Sequence, residues 1–139
     1  MIIRFLKWIC ITLIMSLLFG GAFLYWKVER PDVYKHPVSA AIVSNNPEWG
    51  ELVDLIPDAF VFGEERDSVR QKLQSAGYQS VQDKSVWKRY SYLIEDDYKL
   101  YSREADNLVC NIQLRVFVKF NSDDLLAAAK GNIHEQGCL

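Results

Sequence analysis

Leu108 to Phe120 reads LVCNIQLRVFVKF, and the fold turns on this stretch. Leu108, Cys110, Ile112, Leu114, Val116, Val118 and Phe120 occupy every second place, the period of a strand that buries one face. Asn111, Gln113, Arg115 and Lys119 fall between them and are expected to face water. A strand this long needs partners on both sides, so the flanking sequence is read for them.

On the N-terminal side, SVWKRYSYLI (residues 85–94) is rich in aromatic and β-branched residues and reads as a strand. The acidic run 95–97 is a turn, YKLYS (98–102) a partner strand and READN (103–107) the next turn. On the C-terminal side, NSDD (121–124) turns the chain into a last strand through Leu125 to Ile133. The alanines of LLAAAK favour a short helix there instead. Upstream, FGEERDSVRQKLQSAGY (62–78) places Val69, Leu73 and Ala76 on one helical face. Its acidic residues Glu64, Glu65 and Asp67 suit a helix start, and Gly77 suits its end. PEWGELVDLIP (47–57) reads as another short helix that Pro57 ends. The expected fold is α+β: an N-terminal transmembrane helix, then two short helices packed on one face of a three- to four-stranded antiparallel meander.

The transmembrane helix is read from Trp8 to Trp26, WICITLIMSLLFGGAFLYW, which holds no charged residue. Such a helix spans roughly 28 Å, near the thickness of a bilayer's hydrocarbon layer. Trp8 at one end and Tyr25 and Trp26 at the other suit the aromatic belts. The apolar run continues past Gly20-Gly21-Ala22, so the segment is read as an uncleaved anchor rather than a signal peptide. Cys10 follows Lys7-Trp8-Ile9, which is no lipidation signal. The organisation expected is an anchor over 1–26, an extended tether over 27–47 with three prolines, and a small α+β domain over 48–139.

Cys110 falls on the apolar face of the long strand, and Cys138 lies beyond the last strand. A disulfide between them closes a loop of about 28 residues and contributes roughly 3–4 kcal/mol in the chain-entropy picture. Such a bond persists in an oxidising compartment. The expected location is therefore the inner membrane, single-pass, with the C-terminal domain in the periplasm. A metal site built from Cys110, His134 and Cys138 is the rival reading, with only three candidate ligands and no Cys-x-x-Cys.

The rest of the chain argues against catalysis. The net charge of -2 and the lack of a basic face exclude nucleic acid as an expected partner. No nucleophile elbow, phosphate loop, dinucleotide fingerprint or zinc-protease helix is present, so neither a catalytic residue, a cofactor, a metal nor a small-molecule substrate is expected. The acids at 95–97 and 123–124 read as solvated turn residues; a hydrolase built on Asp96, Asp97 and His134 is the alternative. Trp87, Lys88, Arg89, Tyr90, Tyr92, Tyr98 and Tyr101 form a basic, aromatic-rich stretch of the composition that protein-binding faces favour.

Three features together resemble the SmpA/BamE family of small outer-membrane assembly lipoproteins. They are Gly63 leading a helix with Val69 and Leu73 that stops at Gly77, the aromatic spacing Trp87, Tyr90, Tyr92, and the strand-to-turn run VFVKFNSDDLL. The resemblance spans roughly residues 57–126 and implies a similar helix-and-meander fold and a role in envelope assembly. The function expected is that of an anchored, non-enzymatic envelope protein whose periplasmic domain binds another envelope or periplasmic protein. The alternative is an anchored immunity protein that neutralises a toxin acting in the periplasm.

Overall fold

The computed structural model describes residues 11–21, 35–45, 50–83, 88–105 and 110–138. The chain divides into two compact units, Met1–Pro31 and Asp32–Leu139. In the first, a helix α1 covers 11–21, with every position exposed. This corrects the expected membrane span. Among the described residues no helix is long and apolar enough to cross a membrane, because eleven residues reach only about 16 Å. The flanking positions 8–10 and 22–26 lie outside the described residues.

The second unit is built on a five-stranded antiparallel sheet in the order β1-β5-β4-β3-β2. Its strands are β1 (Val53–Asp54), β2 (Gln79–Ser80), β3 (Lys99–Glu104), β4 (Cys110–Phe120) and β5 (Leu126–Cys138). The expected meander exists as β3-β4-β5, but two short strands flank it. β4 is central, as its alternation requires. β5 runs well past Ile133 and pairs with β4 from Leu126↔Phe120 to Cys138↔Cys110. The alanines at 127–129 therefore lie in a strand, against their own preference: pairing with the long apolar β4 outweighs a helix propensity of at most about 1 kcal/mol per residue.

Among the described residues this unit holds three helices: α2 (Pro37–Ser44), α3 (Arg66–Ser75) and α4 (Ser91–Glu95). α2 lies within the stretch that reads as a tether. Pro37 is suited to a helix's first turn, and His36 Nδ1 accepts the Val38 N–H at 3.3 Å as its cap. Val38, Ala41 and Ile42, spaced three and four apart, are buried. α3 buries Val69 and Leu73. Gly77 at φ +79° ends it, with Gly77 N donating to Gln74 O and Tyr78 N to Leu73 O, both at 2.9 Å. That is the hydrogen-bond pair of a Schellman stop.

Two expected elements change type. The helix expected over 47–57 gives way to a turn at Gly50 (φ +83°) and strand β1. The Leu55 N–H bonds Ala129 O at 2.9 Å, so the edge of β5 claims this backbone. The strand expected over 85–94 is instead a tight helical turn at 88–90 followed by α4. Tyr90 and Leu93, three apart, are its buried residues, a helical spacing that the dense aromatics obscure.

The helices also do not share one sheet face. The larger core joins Ile112, Leu114, Val116 and Val118 of β4 to α2 and α3. A smaller core on the opposite face joins Phe117 and Leu100 to Tyr90 and Leu93. Arg115, which the alternation sends to water, is only 5% exposed on this second face, because the 88–95 segment packs there.

Candidate functional site

β4 and β5 set a row of polar side chains on the second face. Register pairs Arg115 with Asn132 and Gln113 with His134, while Ser102 and Glu104 of β3 stand opposite Arg115 and Gln113. The 88–90 turn lowers Tyr90 onto this row, its ring 5.2 Å from Phe117. The Tyr90 hydroxyl donates to Gly50 O at 2.7 Å and accepts from Asn132 Nδ2 at 2.5 Å. One phenol thus ties the 88–95 segment to both the sheet and the turn before β1. Gly50 is needed where it stands: a Cβ there would lie 2.9 Å from Arg89 Nη1 and 3.3 Å from the Tyr90 hydroxyl, at a positive φ that side chains resist.

The electrostatics are one-sided. Burial lowers the Arg115 pKa, yet a guanidinium remains a cation at neutral pH. Its Nε donates to Gln113 Oε1 at 2.7 Å, a neutral acceptor. His134 is pushed below its usual range, first by burial and then by Arg115 and Arg89. Burial raises the Tyr90 pKa, partly offset by Arg89 and Arg115. An open cleft of 460 Å³ lined by Gln79, Ser102, Arg103, Glu104 and Gln113 reaches the amide that holds Arg115.

The residues singled out in the sequence are distributed unevenly. Lys88, Arg89 and Tyr92 are exposed, Tyr92 by 52%, around the buried Tyr90. Tyr98 is half-buried against the same small core, with Lys119 Nζ 5.8 Å from its ring centre. Tyr101 packs on the other face, against the larger core. Trp87 lies outside the described residues. Arg115 and Asn132 are the members that the sequence did not single out. Their signal was present as the polar alternation Gln113, Arg115 on β4 and Lys130, Asn132, His134 on β5, which reads as solvated until a segment covers it.

Comparison of the chain with protein-family models, with curated proteins and with solved structures found no match in any of the three. Asp96, Asp97, Asp123 and Asp124 sit exposed in turns; Asp97 pairs with Lys99 and Asp124 with Arg66, each at 2.7 Å. Among the described residues no group of three or more His, Cys, Asp or Glu is placed to hold a metal ion. At the far end of the same ladder Cys110 is disulfide-bonded, and the residue directly across from it on β5 is Cys138.

Proposed function

We propose that the Asp32–Leu139 unit is a non-catalytic protein-binding domain of the bacterial envelope, working in the periplasm. The observation that carries this reading is the surface over the small core, where exposed Lys88, Arg89 and Tyr92 surround a buried Tyr90 held by two hydrogen bonds. Arg and Tyr on a rigid support are the side chains that dominate binding energy at protein interfaces, and a fixed support lowers the ordering cost of association. The thiols support the periplasmic part of this reading. Opposed residues on neighbouring antiparallel strands have Cα atoms about 4.5–5.5 Å apart, within disulfide range. We assign the Cys110 bond to Cys138 on that register, and a bond of this kind persists outside a reducing cytosol.

A photo-reactive residue placed at Tyr92 tests the reading, with Asp67 on α3 as a control position, in the full chain within intact envelopes. A discrete adduct from position 92 that position 67 does not give is the expected result. Equal adducts from both positions, or none from 92, would remove the reading.

A further inference from the structure

We propose that an extended segment of the protein partner adds antiparallel to β2, with an apolar side chain in the cleft beside that strand and a lysine or arginine at the acidic 95–97 turn. The inference rests on the protein-binding reading above and names the form in which the partner is held. β2 is an outermost strand of the sheet. In an antiparallel ladder, residues that bond across alternate with residues whose N–H and C=O point the other way. Val81 N donates to Leu100 O at 2.9 Å, and Ser80 stands opposite Tyr101, so the backbone groups of Ser80 and Gln82 face outward. Both residues are exposed, and among the described residues no other strand takes up those groups. Such an edge is a template for another extended backbone.

The same edge borders an open cleft of 330 Å³, lined by Ser80, Val81, Gln82, Ile94, Tyr98 and Leu100. Val81 and Tyr98 pack against the small core that holds Leu100, and Ile94 is 36% exposed. Opposed residues of antiparallel strands share a face, so a partner residue opposite Val81 sets its side chain on the cleft side. Ile94 and Tyr98 are joined by Glu95-Asp96-Asp97. Lys99, also at the cleft, is held by Asp97 at 2.7 Å. Glu95 and Asp96 are exposed and form no ion pair among the described residues. The turn therefore carries uncompensated negative charge, which a cation beside the apolar side chain complements. The outer strands of a second copy, Val53–Asp54 and Gln79–Ser80, carry no cation, so the charge favours a different chain.

The test uses the full-length chain and the peptide N-acetyl-Thr-Lys-Thr-Leu-Thr-Lys-Thr amide, whose leucine and lysines share one face when extended. Its comparison peptides carry serine for leucine, glutamate for both lysines, or N-methyl groups at the two threonines beside the leucine or at the leucine itself. Binding is followed by calorimetry and by the Ser80 and Gln82 amide resonances. The parent peptide is expected to shift both resonances and to bind at least about tenfold more tightly than the serine and glutamate copies. Methylating the threonines, whose amides face β2, should cost at least about tenfold, and methylating the leucine little. S80P removes an outward N–H and should weaken binding about tenfold. E95Q/D96N changes only exposed side chains, so it leaves the fold intact and should weaken binding about threefold. Equal binding of the parent and serine peptides, equal effects of the two methylations, or unchanged affinity in E95Q/D96N would each overturn the proposal. Dimers of the free chain that shift the same resonances would give the edge to a second copy and overturn it too. A Tyr92 adduct without peptide binding removes the added strand and keeps the partner reading; peptide binding without an adduct does the reverse.

Discussion

Tyr90 shows how much one side chain decides. Its ring fills the small core against Phe117 and its hydroxyl serves both Gly50 O and Asn132 Nδ2. Y90F keeps the ring and strands those two polar atoms, so a loss of about 2 kcal/mol is expected from urea unfolding; a loss near zero would contradict the network. The two histidines make stability depend on pH. His134 is depressed by burial, then Arg115 and Arg89; His36 by burial, then Arg103 and Lys72. The unfolded chain binds protons near pH 6.5, the fold only below that, so the unfolded state holds more protons in that window. Stability from both is then full above about pH 6.5 and lost as pH falls through their folded midpoints. Protonating His36 also removes the acceptor that caps α2. Thermal unfolding scans should show the melting temperature falling between about pH 7 and pH 5, less steeply in H134Q. A flat profile would sink the argument.

Between elements, α2 packs tightly on β5 at Gly131. A Cβ on Gly131 would lie 2.7 Å from Ile42 Cγ1 and 3.0 Å from Leu55 Cδ1, so glycine lets the helix and the turn after β1 settle on the strand. G131A should cost about 1–3 kcal/mol by overpacking. Adding I42V should recover part of this, giving a double-mutant cycle that departs from additivity; strict additivity would show that the two do not touch. The same elements show where legibility ended. α3 could be read because Val69, Leu73 and Ala76 recur cleanly between acidic residues and a glycine stop. α2 was equally periodic through Val38, Ala41 and Ile42, but the prolines around it resemble a linker. α4 was hidden because Tyr90, Tyr92 and Ile94 alternate as a strand would, while the buried pair is Tyr90 and Leu93.

Over the whole molecule, the bond assigned to Cys110 and Cys138 closes one end of the longest ladder, the end away from the Phe120↔Leu126 pair. Reductant, or the C110S/C138S pair, should lower stability by roughly 3–4 kcal/mol, read as a fall in the urea midpoint of the full chain. An unchanged midpoint in reductant, or free labelling of Cys138 without it, would break both the pairing and the compartment argument. The central strand, its buried face and the α3 helix were determined by the sequence alone, because alternation and helical spacing are local properties that any tertiary setting must respect. The number of strands, the covering of the second face and the burial of Arg115 were decided only by the tertiary structure. A polar residue on a strand is solvated or buried according to what packs over it. Here that is the 88–95 segment, whose docking depends on Phe117, Gly50 and Asn132 from three other parts of the chain.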